Sequence, residues 1–202
     1  MLSPMIFRSW SLLAVLCAAG ARLAAQEVDV TSVKFANLRA PNGAVGNWFE
    51  AEIAVNVRPA PASPGQMVSR VRVTLTLGME SPGSAGGERR TEYYRAEAEC
   101  VALEAGRSSV RFYLPPEIVK RDQLHGDPKF WTVAIASGGR AQVLSRSAAA
   151  NALAAPESRK GFDSRAAAGA PANDGLLQPQ FLTPFAAEYP RATPSFVRHD
   201  GR

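Results

Sequence analysis

Histidine and cysteine are nearly absent from this chain, with two of each among 202 residues. His125 sits in a His-Gly-Asp-Pro turn and His199 lies close to the C-terminal end. Neither has a His or Cys partner at metal-ligand spacing, so a zinc set of those residues is excluded by counting. A Ser-His-Asp triad has only these histidines to draw on, and no G-x-S-x-G turn presents a nucleophile. The Gly-rich run GSAGGE lacks the Lys and Ser/Thr of a phosphate-binding loop. Strong charge is missing too: the formal net charge is +5 and its residues are scattered, which does not make a nucleic-acid footprint. The acidic pairs Glu50/Glu52 and Glu97/Glu99 stand two residues apart on strand faces, where charges are ordinarily just solvated. Glycoside hydrolysis needs two carboxylates facing each other across a cleft, ~5–10 Å apart. The inventory therefore points away from an enzyme and implies no metal, no cofactor and no small-molecule substrate.

Long apolar runs are equally scarce. The longest, Trp10 to Ala19, falls short of the ~20 residues that span a bilayer. It follows basic Arg8 and precedes the small residues Ala24 and Ala25, the layout of a secretory signal peptide over residues 1–25 with cleavage before Gln26. Leu16 is too bulky to precede a lipidated Cys17. Charged, alternating sequence follows Gln26 where a pilin leader would continue into an apolar helix. The expectation is an exported protein of the periplasm or outer cell surface, touching a membrane only through the removed leader. Processing takes away Arg8 and Arg22 and no acid, leaving 21 basic and 18 acidic residues, net +3. It also leaves Cys100 alone. A single thiol closes no disulfide within its own chain, so Cys100 reads as a small buried apolar residue and stability must come from an unstapled core.

What the chain does have is β pattern. WFEAEIAVNV sets Phe49, Ala51, Ile53, Val55 and Val57 on one face against Glu50, Glu52 and Asn56 on the other. VSRVRVTLTLGM sets Val71, Val73, Leu75 and Leu77 against Arg70, Arg72, Thr74 and Thr76. EYYRAEAECVAL sets Tyr94, Ala96, Ala98 and Cys100 against Arg95, Glu97 and Glu99, an acidic face suited to pair with Arg70 and Arg72 across a sheet. EVDVTSVKFANL, SSVRFYL, KFWTVAIASGG and AQVLSRS complete about seven strands. The intervening stretches are rich in Pro, Gly and Ser, and the prolines remove the ladder's N–H donors.

In FYLPPEIVKRD, Pro115 and Pro116 stop a strand and suit the first turn of a helix. The reading is an immunoglobulin-like β-sandwich over residues 27–146, with this segment crossing between sheets through a short helix. No Cys pair sits in the right strands, and the tryptophans Trp48 and Trp131 fall on the second and sixth. A partly open barrel is the competing fold.

From Ser147 to Asp174 the composition turns to Ala, Ser, Gly and charge, which reads as linker or disorder with a frayed Ala-rich helix as the alternative, so residues 147–202 are expected to be an extended, partly disordered tail. One apolar island, GLLQPQFLTPF over 175–185, breaks it. Pro179 and Pro184 rule out a central strand or long helix there. The segment either packs on its own sandwich or docks on a partner. Leu177, Phe181, Leu182 and Phe185 are the candidate contact residues. The rings of Trp48, Tyr93, Tyr113 and Trp131 offer a second reading, a carbohydrate-binding or adhesin module, against plain rim packing. A third, an envelope hydrolase, would need a site built from carboxylates alone.

With its leader, its sandwich, FYLPPEIVKRD, the FWTVAIASGG strand and the tail segment LLQPQFLTPF, the chain resembles the small pilus-like proteins encoded beside type IV pilus assembly genes in some Gram-negative bacteria. The resemblance spans roughly residues 27–190. It implies an immunoglobulin-like fold and a non-catalytic role by contact with pilus or secretion-system proteins. The missing pilin leader favours an accessory over a filament subunit.

Overall fold

The structure is a computed structural model. It describes residues 27–43, 46–61, 63–82, 89–142, 153 and 155–198. The leader expected over 1–25 lies outside the described residues, as does His199.

Seven strands follow in the order the alternation dictates: β1 (Val28–Arg39), β2 (Asn47–Val57), β3 (Met67–Ser81), β4 (Arg90–Glu104), β5 (Gly106–Leu114), β6 (Phe130–Ser137) and β7 (Arg140–Gln142). A two-residue strand, β8 (Gln178–Pro179), comes from the tail. They form two antiparallel four-stranded sheets, ordered β1-β2-β5-β8 and β4-β3-β6-β7. The first, second and fifth strands thus share one sheet, and the third, sixth and seventh share the other. This is the immunoglobulin arrangement with the fourth strand moved to the opposite sheet. It decides against the barrel.

Period-two patterning puts one face of each strand inside. Phe49, Ile53, Val55, Val71, Val73, Leu75, Leu77, Val110, Phe112, Val133 and Ile135 are buried between the sheets. Cys100 lies among them, fully buried, and burial pushes its thiol up to about 12. The thiol acts as a small apolar group, as the sequence implied.

Pro115 and Pro116 perform the stop expected of them. β5 belongs to one sheet and β6 to the other, and helix α1 (Pro116–Arg121) makes the crossing. Ile118 and Leu124 plug the core below it. The crossing is tied down by Asp122, whose carboxylate accepts from the Tyr94 hydroxyl and whose carbonyl accepts from Ser81 Oγ at 2.7 Å.

The tail corrects the sequence reading. Residues 156–169, expected to be linker, form helix α2 (Pro156–Gly169), followed by a 3-10 turn over Ala170–Asn173. Pro156 takes the first helical position and Glu157 lies in the first turn, both favourable at a helix start. Its only large apolar side chain is Phe162, buried with Ala166 and Leu153 against Tyr93 and Phe130 on the outer face of the β3/β4/β6 sheet. Two glycines admit this contact. A Cβ at Gly169 would stand 2.7 Å from Tyr93 Cδ2, and one at Gly78 would stand 3.0 Å from Phe162 Cε2. Beyond the helix the chain is not a free tail but a strap from Leu176 to Arg198 that wraps one side of the sandwich.

Candidate functional site

The strap begins by filling the lateral gap between the β4 and β5 edges. Leu177 enters the main core, only 2% exposed, and β8 pairs Gln178 with Tyr113 and Pro179 with Phe112. The chain then crosses the outer face of the β1/β2/β5 sheet. There Phe185, 3% exposed, stacks on Tyr113 at 4.4 Å and 4° and meets Trp48 edge-on at 5.7 Å. Gln180, wholly buried, knits this turn together. Its Nε2 donates to the carbonyls of Phe185 and Glu188, each at 2.9 Å, and its Oε1 accepts from Thr193 Oγ1.

Under the strap lies a charged cluster on β2 and β5. Arg111 Nε meets Glu50 at 3.1 Å, its Nη2 meets Glu52 at 2.5 Å, and the Tyr113 hydroxyl donates to Glu50 at 3.1 Å. The Tyr189 ring covers the guanidinium at 4.2 Å, and Arg111 Nη1 is buried without a hydrogen-bond acceptor. A cation facing a ring keeps part of its stabilisation when water is excluded, which accounts for a nitrogen left otherwise unsatisfied. Burial raises Glu50 above the ordinary carboxylate value, against the lowering pull of the Tyr113 hydrogen bond and Arg111. Burial and the neighbouring Glu50 carboxylate likewise drive the Tyr113 phenol far up. Glu50 was expected to be solvated, and the strap is what buries it.

The strap finishes on sheet edges. Ser109 N donates to Ala192 O at 3.0 Å on β5, Val101 N to Ser195 O at 2.8 Å, and Val197 N to Glu99 O at 2.7 Å on β4. A strand edge is a row of unpaired donors and acceptors, and the strap covers both edges on this side.

The candidate contact residues therefore separate. Leu177 and Phe185 are buried within the chain itself and have nothing left to offer a partner. Phe181 is half-buried on Phe196, 5.1 Å between rings, and Leu182 is 63% exposed. Phe196 bridges Cys100, beside exposed Val101. This gives an apolar crest of Phe181, Leu182, Phe196 and Val101 along the strap and the β4 edge. Val101 and Phe196 were missed by sequence reading, because only the strap's return to β4 brings them to Phe181.

The four-ring platform does not assemble. Trp48 and Tyr113 pack with Phe185 outside one sheet, Tyr93 packs with Phe162 outside the other, and Trp131 lies edge-on to Phe35 at the core. The acidic pairs are tied to guanidinium groups as well. Arg70 bonds Glu99 at 2.8 Å, and Arg72 reaches Glu97 at 3.0 Å and Glu99 at 3.3 Å, as the facing strands led one to expect. The Arg70 hydrogen bond holds Glu99 below the ordinary carboxylate range against the opposing effect of burial, with Arg72 adding to the lowering. No group of three or more His, Cys, Asp or Glu able to hold a metal ion occurs among the described residues.

By fold and surface the chain is an antiparallel β-sandwich clasped by its own C-terminal strap. It is similar to a crystal structure of a protein from Akkermansia muciniphila, with a TM-score of 0.66 and 16% identity over 86% of this chain and 94% of that one. At that identity the likeness concerns the fold. No known protein family and no curated protein matches the sequence. No helix among the described residues is long and apolar enough to cross a membrane.

Proposed function

We propose that this chain is an exported, non-catalytic protein that works by protein–protein contact in a type IV pilus-like or secretion system, in the periplasm or at the outer cell surface. The resemblance carried by FYLPPEIVKRD, FWTVAIASGG and LLQPQFLTPF supports this reading. The observation that carries it furthest is the apolar crest, where the strap leaves Leu182 63% exposed beside half-buried Phe181 while burying Leu177 and Phe185 of the same island. An exposed apolar group rimmed by polar residues is the usual mark of a contact site. Phe181 and Leu182 would enter the partner, with Val101 and Phe196 supporting them.

The test is capture from envelope extract with the intact chain and with Leu182→Asp, the captured proteins being identified by mass spectrometry. Deleting the tail is unsuitable because it would take Leu177 out of the core. Recovery of pilus or secretion components by the intact chain, and their loss with Leu182→Asp, is the expected result. Equal recovery by both removes the crest from the reading, and recovery of no such component by the intact chain overturns it.

A further inference from the structure

The strap closes one side of the sandwich, and the opposite side carries an edge that, beyond Val28, whose N–H donates to Gln142 Oε1 at 3.2 Å, nothing described covers. Among the described residues β1 is the outer strand of its sheet and pairs only with β2. Its register tells which backbone groups look outward. Arg58 N donates to Glu27 O, so even-numbered residues of β2 face β1. Past the bulge between Val30 and Ser32, the pairs Lys34↔Glu52, Ala36↔Glu50 and Leu38↔Trp48 therefore carry the ladder. The N–H and C=O groups of Val33, Phe35, Asn37 and Arg39 are left pointing away from the sheet. The same parity turns Ser109 of β5 outward, and Ser109 is indeed bonded to the strap. Val33 and Phe35 lie half-buried at this edge, Phe35 stacked on Phe49 at 5.7 Å and edge-on to Trp131 at 6.1 Å.

We infer that this edge pairs with the same edge of a second copy, antiparallel about a two-fold axis at Phe35. A long unprotected edge is a template for strand addition, and a self-complementary patch closes as a symmetric dimer. The side chains select the register. An axis at Lys34 would set two lysines against each other, and one at Val33 would run into the bulge. An axis at Ala36 would leave Phe35 facing Asn37. At Phe35, the two phenylalanines meet directly, flanked by Trp131 from each copy, with Val33 opposite Asn37 and Lys34 opposite Ala36. No like charges face each other, and the half-exposed aromatic groups of both copies become one buried cluster.

Sedimentation velocity of the purified chain from micromolar to near-millimolar concentration is expected to show a concentration-dependent dimer. Asn37→Pro removes an outward N–H without touching the β2 ladder, and is expected to abolish the dimer while leaving the monomer's thermal midpoint in place. The register is read by cysteine pairs. Lys34 and Ala36 of different copies face each other at a non-hydrogen-bonded position, within disulfide reach. A mixture of Lys34→Cys and Ala36→Cys chains should cross-link into a mixed dimer faster than either alone, and this arm stands even if Asn37→Pro misfolds. A monomer at every concentration overturns the proposal, as does a dimer that Asn37→Pro leaves intact or one in which Ala36→Cys cross-links best with itself. Slow amide exchange at Phe35 and Asn37 in dilute monomer would also overturn it, by showing the edge covered by the chain itself. Because the crest lies on the other side, none of these results bears on partner capture through Leu182.

Discussion

Phe185→Ala measures whether the strap belongs to the fold or merely rests on it. Phe185 is 3% exposed, stacked on Tyr113 at 4.4 Å and edge-on to Trp48 at 5.7 Å. Truncating a buried phenylalanine costs ~3–5 kcal/mol, a range that already contains the ring contacts. How much of that reaches global stability depends on coupling. A strap that peels off by itself caps the loss at its own docking free energy, because the sandwich then unfolds as before. Against this stands Leu177, which anchors the strap within the main core and makes separate release costly.

The expectation is thus a single cooperative transition for both proteins. In urea the midpoint should fall by roughly 1–5 M, given a slope near 1–3 kcal/mol per molar for a small domain. Two probes decide the matter. Tryptophan fluorescence includes Trp48, which touches the strap, and far-UV circular dichroism follows the strands. If the fluorescence transition of Phe185→Ala moves to lower urea while the dichroism midpoint stays put, the strap is an accessory and the argument for coupling fails.

The sandwich was legible because burial on one sheet face imposes a period of two, and Val71, Val73, Leu75 and Leu77 keep it without interruption. Pro115 and Pro116 were equally legible, since a missing N–H acts locally and needs no knowledge of what lies nearby. Helix α2 was not, because its inner face amounts to Phe162 and alanines. It is held where Phe162 fits over Gly78 of the sheet and Tyr93 of the sheet fits against the helix's own Gly169, contacts that only the folded sheet creates. The split among the island's residues was hidden for a related reason. Alternation marks a face but not its cover, so Phe185 and Leu182 look alike until the strap's path puts Tyr113 under one and solvent over the other. The buried Glu50 escaped notice for the same cause. An outward carboxylate is read as wet unless something distant in sequence folds over it.

Three further outcomes follow from particular contacts. Gly169→Ala is expected to destabilise by about 1–3 kcal/mol in thermal unfolding, because its methyl group would meet Tyr93 Cδ2 at 2.7 Å. Adding Tyr93→Leu should recover part of that loss, and no recovery would rule out the clash. Gln180→Leu removes the amide donor from the carbonyls of Phe185 and Glu188, which keep Glu188 N and Thr193 Oγ1 as their other donors, at ~0.5–1.5 kcal/mol for each bond lost, and should speed amide exchange at Ser109 and Val101 first. Unchanged exchange there would separate the Gln180 turn from the edge contacts. Last, Glu50 and Asp122 should give opposite pH dependences. Burial raises Glu50 above its ordinary 4.5, so unfolding releases a proton above that value and its contribution to stability falls as pH rises through the raised range. Burial works against Asp122 also, but the Arg121 and Tyr94 hydrogen bonds outweigh it and hold the carboxyl below its ordinary 3.8, so its contribution is present above that value and lost as pH falls. Relative to the native chain, Glu50→Gln should therefore gain stability on going from acid to neutral pH, and Asp122→Asn should lose it. Urea midpoints across that interval that move in the same direction for both variants would refute the electrostatic assignment at one of the two sites.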